Sequence, residues 1–129
     1  MHRTVNTILL LSVLVLTTGC AALVVGAGTG AGVYTWVKGE LIRSYASDLK
    51  RTENAVLQSL EYLKIPVEEK TQTASETTIK ARQNDGSPVK VRITTVQYDM
   101  TEVAIRCGYV GYWDRKDAEL IHATILGNL

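Results

Sequence analysis

The chain has 129 residues, room for one small domain rather than two. Lys and Arg number 14 against 13 Asp and Glu, and loss of Arg3 would balance them, so overall charge gives no reason to expect nucleic-acid binding. Two cysteines (Cys20, Cys107) and one histidine beyond residue 2 (His122) are too few for a Cys/His zinc site, whose ligands come in closely spaced pairs, and no metal or cofactor is expected.

No charged side chain occurs from Thr4 to Val37. Arg3 gives a basic start, residues 8–16 (ILLLSVLVL) an apolar stretch, and Thr17-Thr18-Gly19 small residues just before Cys20. Those are the three parts of an export signal. Together they resemble the lipobox of bacterial lipoproteins, in which the Cys20 thiol would receive a diacylglycerol and cleavage would follow Gly19. The commonest pattern has Leu three residues before the Cys; here Thr17 stands there and Leu16 one earlier. The boundaries this implies are a signal peptide over 1–19, a lipidated Cys and Gly/Ala-rich linker over 20–38, and a soluble domain over 39–129. The resemblance also implies a location in the bacterial cell envelope, with the membrane as a partner through Cys20. Asp next to the lipidated Cys tends to retain such proteins at the inner membrane. Ala21 stands there, which implies the outer membrane, facing the periplasm.

Two other readings compete for this segment. Residues 24–32 (VVGAGTGAG) nearly satisfy the glycine pattern of a dinucleotide-binding turn. That turn needs a helix directly after it and an acid about 20 residues on. Instead the glycines lead into Tyr34-Thr35-Trp36-Val37-Lys38-Gly39, Glu40 comes early, and no repeated βαβ unit follows. Alternatively, the uncharged run is an uncleaved membrane helix, with Gly26, Gly28, Gly30 and Gly32 supplying the spacing of close helix contacts in lipid. Both this and the lipobox put the protein at a membrane.

Beyond the linker, residues 40–46 (ELIRSYA) suit a strand. Ser47-Asp48 offer capping oxygens for a helix from Leu49, whose inner face carries Leu49, Thr52, Val56, Leu60 and Leu63 and which stops before Pro66. The period then changes to two. A polar strand runs from Ile65 to about Thr73. Thr77, Ile79 and Ala81 alternate with polar residues, as do Val89, Val91, Ile93 and Thr95, on either side of the turn signal Asn84-Asp85-Gly86-Ser87. Residues 99–102 read as a further turn, followed by Val103, Ile105 and Cys107 in alternation. Asp114 caps a last helix with Ala118, Ile121, Ile125 and Leu129 on its apolar face. These elements predict a two-layer α+β domain of order β-α-β-β-β-α: an antiparallel sheet of four to five strands with two helices on one face. This order, the Gly/Ala-rich stretch after Cys20 and the run Trp36-Val37-Lys38-Gly39-Glu40-Leu41 resemble a family of small bacterial lipoproteins catalogued only as a domain of unknown function. The Asp-Gly strand pair over residues 82–91 is its second marker. The family brings a fold and a location, but no reaction.

If the apolar strand positions face the helices, the opposite face carries Lys80, Arg82, Lys90, Arg92 and Arg106. Like charges facing each other across strands cost stability. Water and salt, Glu68 or Glu76, or an anionic partner must screen them. The plain reading is a solvated face kept charged against aggregation; the sharper one is a surface for phospholipid headgroups, lipopolysaccharide phosphates or an acidic protein. Tyr109, Tyr112 and Trp113 form an aromatic cluster that suits an interface or the cover of the core's end, and Tyr34 and Trp36 suit the headgroup level. Glu68 and Glu69, adjacent on a strand, should point to opposite faces. A nucleophilic pair of Cys107 with His122 is conceivable, but the plain reading makes Cys107 a buried strand residue and His122 a surface residue. No catalytic residue is expected. The expected function is a non-enzymatic, lipid-anchored binding or scaffolding module. The alternatives are a small-ligand or lipid carrier with a cavity between sheet and helices, a single-span membrane protein with the same soluble domain, and a hydrolase built on Cys107.

Overall fold

The computed structural model describes residues 34–129. Cys20, the signal-like segment, the 24–32 glycines and the candidate membrane helix lie outside the described residues. Among those described, no helix is long and apolar enough to cross a membrane.

Seven antiparallel strands and two helices make an α+β domain. They are β1 (Thr35–Val37), β2 (Glu40–Tyr45), α1 (Leu49–Tyr62), β3 (Val67–Gln72), β4 (Glu76–Arg82), β5 (Pro88–Gln97), β6 (Met100–Tyr109), β7 (Tyr112–Trp113) and α2 (Arg115–Asn128). The sheet order is β1-β2-β6-β5-β4-β3, with β7 folding back on β6. The sheet is therefore larger than the four to five strands the alternation suggests. The additional strands are short and outside the apolar alternation: three exposed residues at one edge and two at a turn.

Period-two alternation builds the inner face. Leu41, Ile79, Ala81, Val89, Val91, Ile93, Val103, Ile105 and Cys107 are buried there against Ala55, Val56, Leu60, Ala118, Ile121 and Ile125 of the helices. Burying each large aliphatic side chain is worth about 1.5–3 kcal/mol. Both helices start where an Asp oxygen accepts an otherwise orphaned amide. Asp48 accepts from Arg51 N at 2.8 Å and Asp114 from Asp117 N at 3.0 Å. Helix α1 ends ahead of Lys64, whose φ of 56° turns the chain so that Ile65 N donates to Leu60 O.

Several polar residues lie within this core with partners of their own. Thr52 and Thr101 share a hydrogen bond at 2.8 Å. The Glu53 carboxylate accepts from Lys70 Nζ at 2.6 Å and from Thr77 Oγ1 at 3.1 Å. His122, expected at the surface, is instead fully buried. Its Nε2 lies 2.8 Å from the Leu41 carbonyl, which can only accept, so Nε2 carries the proton and Nδ1 accepts from Tyr45 Oη at 2.8 Å. One turn of α2 is thereby fastened to β2.

The turns also differ in detail. The β5–β6 connection is the two residues Tyr98-Asp99, tighter than the 99–102 turn, because β6 begins at Met100 and an irregularity between Thr95 and Gln97 absorbs the register. A β-bulge between Val67 and Glu69 breaks the alternation of β3. Glu68 and Glu69 therefore do not point to opposite faces. Both meet outer-face cations, Glu68 pairing with Arg82 at 2.7 Å and Glu69 with Lys80 at 2.9 Å.

Candidate functional site

The outer sheet face orders its charges by cross-strand row. At one end Glu76 stands opposite Thr94, and Thr94 opposite Glu102. The next outer row is Thr78, Arg92, Ala104; beyond it come Lys80, Lys90 and Arg106, directly paired across β4, β5 and β6. Arg82, opposite Pro88, completes the cationic end. Directly opposed residues hold their Cβ atoms about 5 Å apart, so three cations fall within about 10 Å. The face is a gradient, acidic at one end and basic at the other.

Three carboxylates answer the five cations. Glu40, only slightly exposed, reaches Arg92 at 2.8 Å and Arg106 at 3.5 Å. Glu68 and Glu69 hold Arg82 and Lys80. The Lys80 ammonium keeps the Glu69 carboxyl below its usual range. Glu76 offers only 3.5 Å contacts to Thr78 and Thr94, so the screening role falls to Glu68, as the sequence suggested, and to Glu69 and Glu40. Lys90, at the centre of the cationic row, has no ion pair among the described residues.

The aromatic cluster meets this end of the sheet. A groove of about 360 Å³ is lined by Lys80, Arg82, Lys90 and Arg106 together with Glu68, Tyr109, Val110 and Trp113. Most of the two sets of residues singled out in the sequence thus form one site; Arg92, one row away and paired with Glu40, does not line it. The Arg106 guanidinium lies 4.8 Å from the Trp113 ring centre and donates to Lys38 O at 3.2 Å. Tyr109 Oη donates to Gly86 O at 3.0 Å, and Arg82 donates to the same carbonyl. Tyr112 lies outside the groove, exposed at the β6–β7 turn.

The local sequence explains this placement. Lys38 and Gly39, with φ of 50° and 80°, form a two-residue turn of the type that matches strand twist, and Val37 pairs directly with Glu40. Trp113 lies over Gly39 so closely that any Cβ there would strike the indole. The run Val37-Lys38-Gly39-Glu40-Leu41 thus encodes a turn, a seat for Trp113, a counter-ion for two arginines and a core leucine. Sequence reasoning opened a strand at Glu40 but missed that residue as the central counter-ion, because the strands that bring Arg92 and Arg106 to it lie far along the chain, Arg92 being 52 residues away and Arg106 further still.

Cys107 and His122 do not make a nucleophilic pair. Both His122 ring nitrogens are taken, by Tyr45 and by Leu41. Burial, with smaller contributions from Asp117 and Asp114, pushes the Cys107 thiol up to about 12, the reverse of an activated cysteine. Alkylation by iodoacetamide near pH 8 is expected to spare Cys107 in the folded protein and to modify it in denaturant, as read by peptide mass spectrometry; equal labelling in both would contradict its burial. Among the described residues no group of three His, Cys, Asp or Glu could hold a metal ion.

Residues 4–128 match the family described as "Protein of unknown function (DUF3568)". The chain belongs to that family. No curated protein matches it. The DUF3568 match takes in all nine described elements, so the Lys38-Gly39 turn, the cationic row and the aromatic turn all lie within the family's domain.

Proposed function

We propose that the protein is a non-enzymatic binding module of the bacterial cell envelope, anchored by lipid on Cys20 at the outer membrane and facing the periplasm, whose outer sheet face takes an anionic partner. The observation that carries the binding role is Lys90. It lies between Lys80 and Arg106 in one cross-strand row, has no carboxylate of its own, and lines a groove beside Tyr109 and Trp113. The anchor is supported by Arg3, the apolar 8–16 stretch and the small residues before Cys20. No observation favours the carrier: the space between sheet and helices is occupied by Leu41, Val56, Leu60, Ile93, Ile105 and Ile125, all fully buried.

The two halves of this reading have separate tests. Mass spectrometry of the protein from its native membrane is expected to find an acylated Cys20 at the N-terminus; a chain beginning at Met1 with a free thiol overturns the anchor. For binding, full chain held in phosphatidylcholine nanodiscs should capture vesicles containing phosphatidylglycerol at low salt. It should release them at about 0.5 M salt, where screening shortens to a few ångströms. The Lys80→Glu/Lys90→Glu variant should capture none. Equal capture of phosphatidylcholine vesicles, or no capture at all, overturns the anionic-partner role.

A further inference from the structure

The cationic end of the sheet and the β6–β7 turn share one end of the molecule, and that turn is its most exposed apolar feature there. Val110 is 87 % exposed, Tyr112 84 % and Tyr109 58 %. The turn is not loose. Gly108 and Gly111, with φ of 98° and 86°, fold β7 back on β6, Asp114 N donates to Cys107 O at 2.9 Å, and Tyr109 Oη is fixed to Gly86 O. A rigid hairpin therefore presents a valine and two tyrosines to solvent, next to Arg82, Lys90 and Arg106. Exposing such a tip costs free energy in water. Tyrosine and valine bordered by cations match the layering of an anionic bilayer surface, where phosphates lie outside an apolar interior and tyrosine favours the boundary.

We infer that the β6–β7 turn is a membrane-docking wedge: Val110, Tyr109 and Tyr112 enter the headgroup layer of an anionic phospholipid bilayer while Lys80, Lys90 and Arg106 lie against its phosphates. This rests on the anionic-partner reading above and names the partner. The charge gradient supplies the orientation. The Glu76–Glu102 end of the outer face is repelled by the same surface that attracts the Lys90 end, so the sheet stands with its aromatic turn downward. An acidic protein would match the cations as well, but it would also need an apolar socket shaped to one two-residue turn; a bilayer needs no such fit. Asp85 shares this end, with its carboxylate already engaged by Ser87 N and Oγ.

The test places an environment-sensitive fluorophore on Val110→Cys in the full chain, held in phosphatidylcholine nanodiscs. Cys107 is buried, and a labelled parent chain without the substitution reports any reaction at Cys20. Phosphatidylglycerol vesicles are expected to shift the emission to the blue and phosphatidylcholine vesicles to leave it unchanged. Lys90→Gln should weaken the apparent vesicle affinity about five-fold and Lys90→Glu about thirty-fold, following the usual contribution of one basic side chain at an anionic surface. Vesicles captured with no change in emission would overturn the wedge while leaving the anionic-partner reading standing; no capture overturns both. Inorganic phosphate is the competing soluble ligand. If it abolishes capture where chloride of equal ionic strength does not, the row is a site for a free anion and the membrane wedge is overturned.

Discussion

Replacing His122 by alanine is expected to cost about 3–5 kcal/mol of folding stability, measured by urea denaturation near neutral pH. The change removes a fully buried ring, with the usual penalty for a large-to-small core substitution. It also removes the ring's hydrogen bonds to the Tyr45 hydroxyl and the Leu41 carbonyl, leaving Tyr45 Oη only the backbone carbonyl of residue 122 at 3.1 Å. The same ring makes stability depend on pH. Burial first, and the nearby Arg43 charge, lower the His122 pKa from 6.5 to about 4, against a smaller opposing effect of its bond to Leu41. Between those two values the unfolded chain binds a proton that the folded one does not. The stabilisation is thus complete above about pH 6.5 and is lost as pH falls toward 4, a change of roughly 3 kcal/mol. His122→Gln should flatten that slope even where it lowers overall stability. An unaltered slope in His122→Gln, or a loss below about 1 kcal/mol in His122→Ala, would show that the ring is not held as described.

Gly108→Ala should be nearly as damaging, and for a different reason. At φ of 98° an L side chain is strained, and the added Cβ would fall 2.3 Å from the Tyr112 carbonyl oxygen, a backbone atom of the hairpin. Neither can yield without parting β7 from β6. Strain at such a position costs about 1–3 kcal/mol and overpacking a similar amount, so a loss of about 3 kcal/mol is expected in chemical denaturation. Gly111 is the control. Its φ is 86°, yet no atom lies within 4 Å of the Cβ position, so Gly111→Ala should cost only the backbone term, about 1–2 kcal/mol. Equal losses at the two glycines would mean that the Tyr112 carbonyl does not crowd Gly108.

Much of this architecture was legible in the residues, because alternating burial leaves a period-two signature. Ile79, Val91, Ile93, Val103, Ile105 and Cys107 all lie inside as the alternation requires, and both helices start at the expected Asp caps. What escaped had no such signature. Thr35–Val37 is a strand by virtue of pairing with β2, not of any inward face, since all three residues are exposed. The β3 bulge leaves no trace in composition, yet it turns Glu68 and Glu69 from opposed neighbours into two counter-ions of one face. His122 looked like a surface residue because a polar side chain at a buried helical position is explained only by its partners, and Tyr45 and Leu41 lie 77 and 81 residues away in the chain. The candidate site was half legible. Alternation separated Lys80, Lys90 and Arg106 from the core, but only the β6–β7 reversal brings Tyr109 and Trp113 to them, and nothing in the spacing announced that Glu40 would neutralise two arginines.

Both margins of the sheet are poor templates for another chain. On one side β1 offers only three residues. On the other, β3 is long enough to recruit a stranger, but its kinked Val67–Glu69 segment and its run of Glu68, Glu69 and Lys70 would force an incoming strand to settle over charges already committed elsewhere. If the proposed anchor confines the molecule to a surface, where neighbours collide far more often than in solution, this should keep copies from zipping into fibres however densely they are packed.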